Sequence, residues 1–191
     1  KKLNIIAILL THHHHDHTDG VNNILKYKNI PVYSPDKKIE HTTNVVTNGC
    51  IIKLNFINME VIKSPGHTLD HIIYYNQIHK ILFSGDTLFR LGCGRVFEGT
   101  YKQMQNSLIK IKSLDNATQV YCGHEYTLAN LNFLLSIFPK YKDLIDEKKI
   151  IKEQLRKKNT SMPFNLGREK SINPFLSSES QFYSKFKNQN N

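Results

Sequence analysis

Cysteine is scarce. Cys50, Cys93 and Cys122 are the only three in 191 residues, too few and too odd in number for a disulfide framework. A reducing compartment fits sparse thiols. The cytoplasm is therefore the expected location, with an organelle left open. Long apolar runs are missing too. No stretch of about 18 apolar residues occurs, so no helical membrane span is expected. There is no Gly-x-Ser-x-Gly elbow and no P-loop, which excludes the serine hydrolases and nucleotide hydrolases built on them. No internal repeat is visible, so a solenoid is excluded.

Negative charge is also in short supply. Lys and Arg number 26 against 16 Asp and Glu, a formal net charge of +10. A basic balance suits nucleic acid or the attraction of a small anionic substrate. No aromatic-plus-basic platform for RNA is present, so a nucleic-acid partner is not expected. The segment from Lys142 to Lys158 mixes both signs and reads as a solvated helix face.

Histidine, by contrast, is concentrated. Thr11-His12-His13-His14-His15-Asp16-His17 follows an apolar segment, Leu3 to Leu10, and contains H-x-H-x-D-H as His12, His14, Asp16 and His17. An affinity tag would sit at a terminus and would not be threaded by an aspartate. One catalytic zinc takes about three protein ligands and leaves a position for water. This run supplies more than one ion needs, which points to two metals and a metal-activated water. Further candidates recur downstream in one pattern, an apolar strand, a glycine, then a ligand. They are Gly66-His67, Gly85-Asp86 and Gly123-His124. Glycine permits the tight turn that aims the next side chain into a shared cleft.

His12, His14 and His67 are expected to form a first metal site, and Asp16, His17 and His124 a second. Asp86 is expected to bridge them, one carboxylate oxygen to each ion. Asp16 and Asp86 are the expected catalytic carboxylates. Neutral imidazoles suit zinc and iron. The cofactors expected are two divalent ions, zinc first, with iron or manganese as alternatives. Alternation along an extended stretch turns His13 and His15 away from the ligands, His13 behind the site and His15 to the cleft. His71 is a candidate to support a ligand from behind. His41 and His79 read as surface residues. Cys93 and Cys122 read as packing residues.

These segments resemble glyoxalase II, the hydroxyacylglutathione hydrolases of the metallo-β-lactamase superfamily. The likeness is carried by Phe83-Ser84-Gly85-Asp86-Thr87-Leu88-Phe89, Gly92-Cys93-Gly94-Arg95, Glu98-Gly99-Thr100, Tyr121-Cys122-Gly123-His124-Glu125-Tyr126-Thr127 and Asn173-Pro174-Phe175-Leu176. It spans roughly residues 3–177. It implies hydrolysis of the thioester S-D-lactoylglutathione to D-lactate and glutathione, the second step of methylglyoxal disposal. It also implies that Arg95 binds the glutathione glycine carboxylate and that the Tyr126 hydroxyl binds the glutathione moiety. Arginine offers a carboxylate a forked donor.

The chain departs from that family at four places. Phe97 stands where the family has a second substrate-binding tyrosine, and the lost hydroxyl is worth roughly 0.5–1.5 kcal/mol. Ser177 stands where an arginine usually follows Asn-Pro-Phe-Leu, with Lys185 or Lys187 as conceivable substitutes. Asp70 replaces the glycine usual before His71. The family opens with strands that precede the His-rich run, whereas Lys1 stands almost on it. The resemblance therefore implies that the opening strands are missing. One sheet would then expose an edge, and a transit peptide stays open. A nuclease of the same superfamily, a mononuclear-iron persulfide dioxygenase and a remnant that does not fold are the alternatives carried.

The expected fold is α/β (α+β), an αββα sandwich of the metallo-β-lactamase type lacking its opening strands, followed by a helical part. Residues 1–125 are the expected catalytic domain and 126–191 a helical C-terminal substrate-binding domain. Strands are expected at Leu3 to Leu10, Pro31 to Ser34, 44–47, 50–56, 59–64, His71 to Tyr75, Lys80 to Phe83 and 119–121. Asn48-Gly49 reads as a hairpin turn. Helices are expected at Gly20 to Lys28, 101–113, 127–138 and 141–158, the last two divided by Pro139. Phe133, Leu134, Ile137, Leu144, Ile145, Ile151 and Leu155 are the expected packing face of the helical part, and the tail from Ser177 is expected to fray.

Overall fold

Four layers stack in the order helix, sheet, sheet, helix in the computed structural model, which describes residues 3–177. Lys185, Lys187 and the tail beyond Ser177 lie outside the described residues. The first sheet joins β1 (Ile8–Leu9), β2 (Val32–Ser34) and β3 (Asn44–Val45), all parallel. The second is six-stranded and mixed. It contains β4 (Ile51–Lys53), β5 (Asn58–Lys63), β6 (Ile72–Asn76), β7 (Ile81–Gly85), β10 (Gln119–Cys122) and β11 (Phe164–Asn165), in the order β11-β10-β7-β6-β5-β4.

β6 shows why these residues build a sandwich. Successive strand side chains point to opposite faces. Ile72 and Tyr74 turn to the space between the sheets, where they meet Val46, Ile52, Met59 and Val61. Ile73 and Tyr75 turn the other way and pack with Met104, Leu108 and Ile111 of α3 (Tyr101–Lys112). All five residues of β6 are buried, and Ile72 to Tyr75 present apolar side chains on both faces. Outside the first sheet, Val21 and Leu25 of α2 (Val21–Tyr27) cover Leu10, Val32 and Ile39. The start of α3 is fixed by a capping box. Thr100 Oγ1 accepts the Gln103 N–H at 3.1 Å while Gln103 Oε1 accepts the Thr100 N–H at 2.8 Å.

A second core lies in α4 (Thr127–Ile137), α5 (Lys142–Lys158) and α6 (Leu166–Ile172). Leu131, Leu134, Leu144, Ile151 and Ile172 close around Leu91, which the turn between β8 (Leu88–Phe89) and β9 (Gly92–Cys93) contributes. Among the described residues no helix is long and apolar enough to cross a membrane.

Several expectations need correction. The first strand is only Ile8–Leu9 rather than Leu3 to Leu10. Asn48-Gly49 is not a hairpin turn, because β3 pairs in the first sheet and β4 in the second, so the turn crosses between them. Phe133, Ile137 and Ile145 are exposed at 55%, 43% and 39%, and only Leu134, Leu144 and Ile151 of the expected packing face are fully buried. α4 is apolar on most sides, so spacing alone does not choose its inner face. β8, β9, β11, α6 and the short α1 (His15–Thr18) were not expected.

Glu169 of α6 gives a pH test of this second core. It is buried, and its Oε2 accepts hydrogen bonds from Leu91 N at 2.8 Å and Asn173 Nδ2 at 3.0 Å. Burial pushes its carboxyl up to about 7, against the pull of those donors and of Arg90. The folded chain then holds a proton that the unfolded chain releases from 4.5 upward. That stability is fully present below pH 4.5 and is lost as pH rises through about 7. The loss amounts to at most about 3 kcal/mol. Glu169→Gln is expected to flatten this limb. Urea midpoints at pH 5 and pH 8 should diverge in the parent chain and converge in the variant, and equal slopes would refute the assignment.

Candidate metal centre

Strand ends deliver the candidate ligands to one place. β7 and β10 are parallel neighbours with Gly85 opposite Cys122, and Gly123 N donates to Gly85 O at 2.9 Å. Asp86 and His124 therefore leave the sheet side by side. His67 follows β5, and Thr11 O accepts from Ile72 N at 2.9 Å, which fastens the His-rich run to β6. Gly85 has φ +48°, the left-handed region that glycine adopts without cost. A Cβ there would also lie 2.8 Å from both His71 Nε2 and Thr11 Oγ1.

The run itself is not extended throughout. His14 precedes α1, so Asp16 and His17 project from one helical turn. His13 and His15 both turn away from the seven candidates, as expected. His13 lies at the rim rather than behind the site. Its Nδ1 stands 3.0 Å from Asp70 Oδ1 and its Nε2 3.1 Å from Glu98 Oε1. His15 is solvent-exposed beside Asp19, at 3.2 Å. Both line a neighbouring cavity of about 720 Å³ together with Asp36, Lys38 and His41.

Three ring nitrogens converge in a first group. His14 Nδ1 is 3.1 Å from His12 Nε2 and 3.0 Å from His67 Nε2. Nitrogens sharing one zinc at about 2.0–2.1 Å in a tetrahedron stand roughly 3.3 Å apart, so this spacing suits one ion. In a second group, His124 Nε2 lies 3.0 Å from Asp16 Oδ2 and 3.2 Å from His17 Nε2. Asp86 stands between the groups. Its Oδ2 is 3.5 Å from His67 Nε2 and 3.4 Å from His124 Nε2, and its Oδ1 is 3.4 Å from His17 Nε2. The structure thus brings all seven sequence-derived candidates together.

Protonation follows from this crowding. Burial, then neighbouring rings led by His71, hold His12 far below the usual imidazole range. His14 is lowered by burial and then by His67. At His17 burial opposes the charged ring, and contact with Asp86 more than offsets it, so its pKa is raised. At Asp86 burial likewise opposes charge, and contact with His17, helped by His124 and His67, holds the carboxyl below its ordinary range. Neutral His12 and His14 and an ionised Asp86 are the states that metal ligation requires, whereas His17, held charged by Asp86, must release its proton to ligate.

The donor set fits a pair of divalent ions on two further observations. Asp86 Oδ1 is buried with no hydrogen-bond partner, an expensive condition unless something else satisfies it. A Cβ at Gly123 would stand 2.3 Å from that same oxygen and 2.7 Å from His17 Cε1, so the glycine keeps the space open.

Supporting contacts orient these groups. His67 Nδ1 donates to Arg95 O at 2.8 Å, which turns Nε2 to the site. His71 is buried and stacks on His12 at 4.8 Å. Its Nδ1 meets Ser64 Oγ at 2.8 Å, and its Nε2 accepts the Asp86 backbone N–H at 3.0 Å. Burial, then His67, lowers it to about 3, so it stays neutral and can accept. Ser64, Thr87 and Thr11 were not anticipated as parts of this shell, and their hydroxyls carry no pattern that spacing could reveal.

The expected substrate contacts flank the two groups. Arg95 is exposed, its guanidinium 5.2 Å from the Phe97 ring centre. Phe97 stands edge-on to His67 at 5.3 Å and to His14 at 5.9 Å. On the other side Tyr126 is half-exposed and stacks on His124 at 4.9 Å. Ser177 Oγ donates to Pro174 O at 3.0 Å. Cys93 and Cys122 are largely buried, which pushes both thiols up to about 12. Cys122 Sγ lies 3.2 Å from Met162 Sδ.

The family described as the metallo-beta-lactamase superfamily matches residues 1–124, and the family described as hydroxyacylglutathione hydrolase C-terminus matches residues 125–190. A hydroxyacylglutathione hydrolase of Nitrosomonas eutropha is 46% identical over 179 residues, covering 92% of this chain and 69% of that protein. One of Wigglesworthia glossinidia brevipalpis is 47% identical over 177 residues, covering 92% and 70%. Among solved structures, the BLEG-1 B3 metallo-beta-lactamase superposes with a TM-score of 0.66 at 25% identity, covering 91% of this chain and 78% of that one. TTHA1623 in a di-iron-bound form superposes with a TM-score of 0.62 at 25% identity, covering 91% and 79%.

Proposed function

We propose, from the premise that the chain belongs to the hydroxyacylglutathione hydrolases of the metallo-β-lactamase superfamily, that it hydrolyses S-D-lactoylglutathione to D-lactate and glutathione. The observation that carries the chemistry is the pair of donor groups, His12, His14 and His67 beside Asp16, His17 and His124, with Asp86 between them. These seven residues would hold two divalent ions. Zinc and iron both suit the imidazoles, and the di-iron form of TTHA1623 supports iron as an alternative to zinc. When bound, the ions supply an activated water and neutralise charge developing on the thioester oxygen.

The chain's own residues do the rest. Arg95 offers a forked, charged donor to a substrate carboxylate. Its position beside Phe97, which packs on His14 and His67, supports a carboxylate site on that side. Tyr126, stacked on the His124 ring, supports a second contact on the other side. His71 holds the Asp86 backbone and so fixes the carboxylate on which both groups converge. The basic surplus attracts an anionic substrate, and the C-terminal match over residues 125–190 favours glutathione over nucleic acid.

The test is hydrolysis of S-D-lactoylglutathione by metal-loaded protein, followed by loss of thioester absorbance. Turnover is expected. Arg95→Ala should raise KM about 10- to 100-fold with kcat little changed, since a hydrogen bond to a charged group is worth about 1.5–3 kcal/mol. A folded, metal-holding protein that leaves the thioester intact would sink the reading.

A further inference from the structure

Outside the two donor groups, a polar cluster centred on the buried Ser161 adjoins the segment that carries His124. Glu125, an exposed residue, lies between His124 and Tyr126, and its carboxylate turns to Thr160 and Ser161. Glu125 Oε2 accepts the Ser161 N–H at 2.7 Å and the Thr160 hydroxyl at 3.2 Å, and Oε1 accepts the Ser161 hydroxyl at 2.8 Å. Ser161 is 1% exposed. Its hydroxyl also meets Thr127 Oγ1 at 2.7 Å, and its carbonyl accepts from Arg90 Nη1 at 2.9 Å. Arg90 follows Phe89, whose ring stands 5.3 Å from Tyr126 and 6.2 Å from His124. Ser161 is thus a hub. It joins the segment carrying a candidate metal ligand, the segment carrying the ring that packs on that ligand, and the loop after α5.

We infer that Glu125 and Ser161 are positioning residues that set His124 against Asp16 and Tyr126 against the substrate, acting from the far side of the 122–127 segment. The other anchors of this segment lie to either side of Glu125. Gly123 N holds it to Gly85, Cys122 Sγ reaches His124 O at 3.3 Å, Tyr126 O accepts from Asn130 N at 2.9 Å, and Thr127 Oγ1 meets Ser161 Oγ at 2.7 Å. None of these fixes the residue between His124 and Tyr126. The Glu125 carboxylate does, because it sits at the midpoint and takes three donors from Thr160 and Ser161. Supporting partners of metal ligands are worth about 10- to 100-fold in metal affinity. The inference rests on the two-group reading above. It adds that the second group is held by a contact to the loop after α5, while the first group is not.

The experiment compares Glu125→Ala with Glu125→Gln, which keeps one acceptor oxygen. Metal-free protein is titrated with cobalt(II) and followed by visible absorption. The parent should take two equivalents. Glu125→Ala should bind the first unchanged and the second about 10- to 100-fold more weakly, with Glu125→Gln between them. KM for the thioester should rise in the same order. Amide exchange of the metal-free protein should quicken over 122–127 in Glu125→Ala while β7 stays protected. Two equivalents bound with parental affinity, or equal weakening of both, would overturn the inference, as would unchanged exchange over 122–127. If Glu125→Ala fails to fold, Ser161→Ala serves, since it removes the hydroxyl and leaves the N–H. A parent chain that binds cobalt but spares the thioester defeats the proposed reaction alone, and the cobalt and exchange comparisons still decide the role of Glu125.

Discussion

Replacing Asp86 by asparagine is expected to reduce thioester hydrolysis at least 100-fold while leaving the chain folded. The substitution keeps volume and removes charge. Asp86 is 5% exposed, and its two oxygens face His17 on one side and His67 and His124 on the other. Among the described residues, no other carboxylate is seen in contact with both donor groups. Its loss must cost at least as much as loss of an outer partner, about 10- to 100-fold. The fold has little at stake, because Oδ1 accepts no hydrogen bond and the Asp86 N–H to His71 is a backbone contact. The measurement is kcat/KM for S-D-lactoylglutathione beside far-ultraviolet circular dichroism of metal-free protein. A folded variant that retains a tenth of parental activity would remove Asp86 from the centre of the mechanism.

That expectation could be formed from the sequence because chemistry and local geometry coincide there. Gly85-Asp86 and Gly123-His124 sit at the ends of parallel neighbours, so the strand-glycine-ligand rhythm read along the chain is the same fact as a cluster in space. His13 and His15 do turn away from the seven candidates, as alternation implies, but the finer placement of His13 failed for a local reason. The alternation argument assumes extended backbone, and α1 begins at His15. β8 and β9 have two residues each, too short for any period to register. Phe133 and Ile137 carry apolar side chains at helical spacing but lie outside, because α4 is apolar on most sides and tertiary packing selected another face; Ile145, on the charged α5, lies outside because Leu144 and Ile151 take the inner face. Buried charge was the least legible feature. Glu147 falls in the Lys142–Lys158 segment read as a solvated face, nothing in the sequence singles out Arg90 or Glu169, and the fold shows Arg90, Glu147 and Glu169 to be 4%, 3% and 1% exposed.

The second large effect comes from that buried charge. Arg90→Met is expected to destabilise the metal-free protein by about 3–5 kcal/mol, since it removes one partner of a buried pair and strands the other. For a chain of this size that lowers Tm by roughly 6–20 °C. Arg90 Nη2 donates to Glu147 Oε1 at 2.6 Å, and Nη1 donates to Gln154 Oε1 at 2.6 Å and to Ser161 O at 2.9 Å. Methionine fills the space and satisfies none of these acceptors. Arg168, with Nε 3.0 Å from Glu147 Oε2, softens the loss at Glu147 but reaches neither of the other two. An exposed pair makes the contrast. Lys157 and Glu153 approach to 2.7 Å on the surface of α5 with side chains 57% and 59% exposed. Breaking that contact with Lys157→Met should leave the urea midpoint close to the parent's. Two ion pairs of nearly equal length should therefore differ greatly in what their loss costs, because water can replace one partner and not the other. Arg90→Met with Glu147→Leu should recover much of the loss, since the second change removes the stranded charge. Urea unfolding of the four chains decides it. Equal costs for Arg90→Met and Lys157→Met, or a double variant no better than Arg90→Met alone, would mean that burial of the pair contributes nothing to holding the helical core on the sandwich.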